Sequence, residues 1–86
     1  MIEVEKKNAG EFLVTIEEGN SKSKHNVELD DEYYQKLTRG KITEEELIKK
    51  SFRFLLERES KGSILSKFNL KVIKRYFPEY EERIVI

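Results

Sequence analysis

Residues 41–59, KITEEELIKKSFRFLLERE, predict a helix whose apolar side is too wide for a single partner. At about 100° per residue, with Leu47 at zero, the apolar positions begin at Phe54, about 20° behind it. They run through Leu55, Ile48 and Phe52 to Leu56, about 180° ahead. The arc of about 200° is twice the roughly 100° stripe of an ordinary surface helix. Lys49, Lys50, Arg53 and Glu57 fill the polar remainder. Phe54 and Leu56 stand at opposite limits of the arc, so one sheet cannot cover both. The helix must be flanked on two sides. The second wall is either the C-terminal part of the same chain or the same helix of a second copy, which makes Phe54 and Leu56 candidate interface residues. Ser51, near the middle of the arc, is small enough to fill the core or to allow close backbone approach.

The start of this helix is well specified. Thr43 and Glu46 fit a capping box, in which each side chain satisfies the other's backbone N–H. Ile42 and Leu47 occupy the hydrophobic-staple positions on either side of the cap.

The first 29 residues have a different period. Ile2 and Val4 alternate with Glu3 and Glu5; Phe12, Val14 and Ile16 with Glu11, Thr15 and Glu17; His25, Val27 and Leu29 with Lys24, Asn26 and Glu28. A two-residue period with one charged face marks strands packed on one side only. KNAG (7–10) and EGNS (18–21) supply the turns, so the three strands form an antiparallel meander. After it, LDDEYYQKLTRG (29–40) predicts a short helix with Asp30 or Asp31 as cap and Gly40 as left-handed stop.

In the last third, Gly62 marks a turn, and Ile64, Leu65 and Phe68 predict a short apolar helix. Asn69 can cap a further helix carrying Leu70, Ile73 and Phe77, which Pro78 ends or bends. Residues Ile84–Ile86 form a bare apolar tail. The expected fold is a single α+β domain spanning 1–86: a three-stranded antiparallel meander over 1–29, then three to four helices over 30–86 packed on one face. No internal repeat, linker or low-complexity segment interrupts it. Ile, Leu, Val and Phe make up 26 of the 86 residues, enough for a core but a limited one at this length.

Charge is balanced overall and uneven along the chain. Residues 1–34 carry a net −5, residues 35–78 a net +7 and residues 79–86 a net −2. The asymmetry fits an anionic partner for the middle segment, or segments that neutralise one another within the fold or across a dimer. Lys67, Lys71, Lys74 and Arg75 recur at helical spacing beside Tyr76. They are candidate contacts to nucleic acid or another anion, because cations neutralise phosphates and rings stack on bases.

The chemistry of catalysis is thinly represented. Cysteine is absent, which excludes disulfides and thiolate metal sites. His25 is the only histidine, and its parity with Val27 and Leu29 fits a satisfied core residue better than a ligand or general base. Glu44, Glu45 and Glu46 complement the helix dipole. The isolated glycines form no phosphate-cradling loop, and Ser51, Ser63 and Ser66 have no base in a recognisable motif. The expectation is a non-enzymatic chain with no cofactor, metal or small-molecule substrate. No run reaches the ~18 apolar residues of a membrane span, and MIEVEKKNAGEF alternates where a signal peptide would be apolar. A soluble, cytoplasmic protein is expected.

Residues 24–59 resemble a ribbon-helix-helix segment through HNVELDDEYYQKL, RGKIT and EELIKKSFRFLL. In that family the strand pairs across a dimer and enters the DNA major groove, while the second helix forms the dimer core. The resemblance covers under half the chain. The strand would present Lys24, Asn26 and Glu28, with Glu28 facing phosphates. Over its whole length the chain is similar to a set of small uncharacterised prokaryotic proteins that share LTRGKITEEELIKKSFRFLLERE and SILSKFNLKVIKRYFPEY. That resemblance implies a defined small domain and no particular activity. Two function classes are consistent with these features: a self-associating protein-interaction domain, or a small nucleic-acid-binding regulator of antitoxin-like type.

Overall fold

The computed structural model describes residues 1–85 and is an α+β arrangement. Strands β1 (Ile2–Asn8), β2 (Glu11–Glu18) and β3 (Ser21–Glu28) form the expected meander. Each row of the ladder alternates as the sequence does. Val4, Val14 and His25 lie abreast on the inner face, and Glu3, Thr15 and Lys24 lie abreast on the outer one. Gly10 makes the β1–β2 turn at φ 73°, and its carbonyl accepts from the Leu29 N–H at 2.9 Å. A Cβ there would stand 3.1 Å from the Leu29 carbonyl oxygen, so the positive φ favours glycine and the close approach adds to that preference.

Helix α1 (Asp31–Thr38) comes next, and then α2 (Glu44–Leu56). The α2 start is the expected capping box: Thr43 Oγ1 accepts from Glu46 N–H and Glu46 Oε1 accepts from Thr43 N–H, each at 3.0 Å. The α1 start differs. Asp30 occupies the cap position but makes no side-chain capping bond; its carboxylate instead meets Lys71 Nζ at 2.7 Å. At the other end of α1 the left-handed turn begins at Arg39 (φ 55°) and continues through Gly40 (φ 76°).

The largest departure lies between 61 and 76. The helix expected around Ile64, Leu65 and Phe68 is absent. A short 3-10 turn (Lys61–Ser63) leads into a fourth strand, β4 (Lys67–Asn69), parallel to β3 and paired Asn26 to Lys67, Val27 to Phe68 and Glu28 to Asn69. The part expected to be wholly helical thus contributes an edge strand, and the sheet order is β1-β2-β3-β4. Two further bonds hold this segment: Asn26 N–H to Ser66 O at 2.8 Å, and His25 Nδ1 to Leu65 O at 2.7 Å. A three-residue strand is too short to show its period, and the i, i+4 spacing of Ile64 and Phe68 imitates a helix.

Asn69 does act as a cap, its Oδ1 accepting from Lys71 N–H at 3.0 Å. The turn it starts is 3-10 (Leu70–Val72) before the backbone relaxes into helix α3 (Ile73–Tyr76). Pro78 forces Phe77 out of helical geometry, as expected. The chain then re-forms a helix, α4 (Tyr80–Ile84), over residues for which the sequence predicts no element, apart from Ile84, the first residue of the expected tail. Ile84 is buried in the core, Val85 is exposed, and Ile86 lies outside the described residues.

The inner sheet face and the helices enclose one core, with Phe12, Val14, Ile16, Leu47, Ile48, Phe52, Leu70 and Tyr80 essentially inaccessible. The two walls of α2 are now identifiable. The meander covers one side through β1, and α4 with Phe77 covers the other. Among the described residues no helix is long and apolar enough to cross a membrane.

Candidate protein-interaction surface

Phe54 is only 5% exposed. Its ring meets Phe77 edge-on at 5.9 Å and Tyr80 at 5.2 Å, and the Arg58 guanidinium lies 3.6 Å above it. The structure places Phe54, a candidate interface residue by sequence, in the core of its own chain. Leu56 sits differently. It is half-buried in an open groove of about 350 Å³ with Met1, Ile2, Ile16, Lys49 and Arg53.

The residues that keep Phe54 covered form a polar device the sequence does not announce. Ser51 Oγ donates to the Leu47 carbonyl at 2.8 Å, so its single proton is committed. The buried Tyr80 hydroxyl, 2.6 Å away, must then donate to Ser51. Burial pushes the Tyr80 phenol well above its ordinary range, which keeps it a neutral donor. On the far side of α4, Tyr33 donates to Glu81 Oε2 at 2.8 Å. That bond, ahead of Lys74 and Lys36, holds the Glu81 carboxyl below the usual carboxylate range. Serine and tyrosine 29 positions apart give no sequence signal of pairing.

The four candidate basic residues do not share one helical face. Lys67 is on β4, Lys71 in the 3-10 turn, and Lys74 and Arg75 on α3. Lys71 is paired with Asp30, and Lys74 lies 3.6 Å from Glu81 and 5.8 Å from the Tyr33 ring centre. Part of the uneven charge meets across the fold: Asp30, Glu79 and Glu81 pair with Lys71, Arg58, Lys36 and Lys74. Lys67 and Arg75 remain exposed.

His25 is buried beside the Phe52 ring, with Nδ1 bonded to Leu65 O and Nε2 to Ser23 Oγ at 2.9 Å. Both ring nitrogens are spent on structure. Among the described residues no group of three or more His, Asp or Glu side chains is placed to hold a metal ion, and no buried side-chain polar atom lacks a partner.

What stands out at the surface is an apolar cleft of about 140 Å³. Ile64, Phe68 and Ile73 form its buried floor, Leu55 and Phe77 its sides. Two large residues stand at its mouth, Leu65 at 48% exposed and Tyr76 at 65%. The cleft lies where residues 64–66 lead without helical structure from the 3-10 turn into β4 beside α2. Tyr76, expected as a stacking ring beside a basic run, borders an apolar depression instead.

No family model, curated protein or solved structure matches the chain. The functional reading therefore rests on this geometry.

Proposed function

We propose that the chain is a non-enzymatic protein-interaction domain whose apolar cleft accepts a side chain from a partner polypeptide. The observation that carries this is the pair of exposed large residues, Leu65 and Tyr76, at the mouth of a cleft with an apolar floor. Exposed apolar residues that cluster around a depression have a different meaning from ones scattered singly. The volume helps to choose the occupant. Small-molecule sites enclose about 300–1,000 Å³, whereas 140 Å³ suits one or two aliphatic or aromatic side chains. A knob from a partner, ringed by Tyr76 and Leu65, has the form of an interface hot spot.

The nucleic-acid alternative has narrower support. Lys67 and Arg75 are free to meet phosphates, but Lys71 and Lys74 already have acidic partners. A ribbon-helix-helix mode needs a strand edge open for pairing, and β3 is bonded to β2 on one side and β4 on the other.

The test is a pull-down with the wild-type chain and with the Leu65→Glu/Tyr76→Glu variant. A specific partner then goes into an NMR titration of the labelled chain. The expected result is loss of the partner from the variant, with shifts centred on Ile64, Phe68, Val72 and Ile73. Shifts centred on Lys67 and Arg75 on addition of a generic DNA duplex, with no protein retained, would replace this reading by the alternative.

A further inference from the structure

The outer face of the sheet carries no helix, and its charge is graded across the strands. On β1 and β2 it presents Glu3, Glu5, Glu11 and Glu17 against Lys7; on β3 and β4 it presents Lys22, Lys24 and Lys67 against Glu28. Between the two halves lie Thr15 and Leu13, both only partly exposed. Leu13 is the single large apolar side chain placed by register on this face, in the row Glu5–Leu13–Asn26–Lys67.

Some of the charge is internally spent, since Glu5 meets Lys7 at 3.4 Å and Glu17 meets Lys22 at 3.2 Å. The central row Glu3–Thr15–Lys24 is different. Its acid and base stand two strands apart, about 10 Å at ordinary strand spacing, with Thr15 between them, and neither is in an ion pair among the described residues.

From this gradient we infer that the outer face is a self-complementary surface for a second copy of the chain, packed sheet to sheet about a two-fold axis running along β2. The reading of the chain as an interaction domain underlies it, and the surface is separate from the cleft. The axis direction is set by the charges. A two-fold axis across the strands would lay β1 on β1 and place acid over acid. An axis along β2 lays β1 of one copy over β3 of the other, so each Glu3 meets a Lys24 of the second copy and Leu13 meets its own counterpart. This is an isologous contact with aligned sheets. Glu11 and Glu17 lie on β2 itself, so the same axis would oppose each to its own counterpart, while Glu28 would lie over the Asn8 end of the other copy's β1. Glu17 is already paired with Lys22 in its own chain, and Glu11 limits the contact to the Glu3–Leu13 rows, with sheet twist carrying the Glu11 corner away. An interface with so little apolar area is weak, and screening by salt weakens it further.

Sedimentation equilibrium up to millimolar concentration, in about 20 mM and about 0.5 M salt, tests it with charge reversals at exposed positions that leave the core untouched. Wild type dimerises in low salt and is monomeric in high salt. Glu3→Lys and Lys24→Glu each weaken association about tenfold or more, since each opposes like charges twice per dimer. An equal mixture of the two variants restores association, because the reversed residues then face each other's opposites. A monomer throughout in low salt, or a dimer indifferent to both reversals, overturns the proposal. Both outcomes leave the cleft reading intact, because that one is lost only with Leu65→Glu/Tyr76→Glu.

Discussion

Ser51 and Tyr80 are the pair on which the packing of the C-terminal segment turns, and their hydrogen-bond order makes the two truncations unequal. Tyr80→Phe removes a donor and leaves Ser51 still bonded to the Leu47 carbonyl. The expected cost is about 1 kcal/mol, the net worth of one buried hydrogen bond. Ser51→Ala instead strands the Tyr80 hydroxyl in the core, and the expected cost is about 1–3 kcal/mol. The double variant costs less than the sum of the two, because the orphan is gone. Urea denaturation of the four proteins checks this. Equal single effects that add in the double variant would show that the hydroxyls do not depend on each other. The sequence places Ser51 in the right arc and says nothing of its partner. Residue-scale roles are legible where they are local, as in the reciprocal cap of Thr43 and Glu46. They are illegible where a partner arrives from a distant position, as with Asp30 and Lys71.

Among the elements, β1, β2, β3 and α2 are readable because each is long enough to repeat its period and each ends in its own turn or cap. β4 has three residues and takes its conformation from β3, through register and the Leu65 and Ser66 carbonyls. Local pattern cannot report that. α4 is likewise held by Tyr80 inside the core and by Glu81 at its surface.

Charged pairs join these short elements to the rest, and they set a pH dependence. The Lys71 ammonium holds Asp30 below the usual carboxylate range, the Tyr33 hydroxyl does the same for Glu81, and for Glu79 its own backbone N–H and then Arg58 do so. A carboxyl whose folded pKa is depressed adds stability above its unfolded value, and that stability is lost as pH falls through the folded one. The denaturation midpoint should therefore fall as pH drops below about 4. Glu81→Gln should flatten that acid limb. An unchanged slope in the variant would mean that Glu81 is as well solvated folded as unfolded.

For the whole molecule, the wide arc of α2 correctly demands two walls and cannot say which chain supplies the second. The fold supplies it internally, with α4 and Phe77 over Phe54, and leaves open the Leu65–Tyr76 cleft, the groove beside Leu56 and the outer sheet face. That closure within one chain is the central claim. The direct measurement is an isotope-filtered NOE experiment on an equal mixture of labelled and unlabelled chain, read at the Phe54 ring. Contacts from Phe54 to Phe77 and Tyr80 are expected only within a single labelled chain. Contacts from Phe54 of one chain to any residue of another would contradict the closure and make α2 an interface helix.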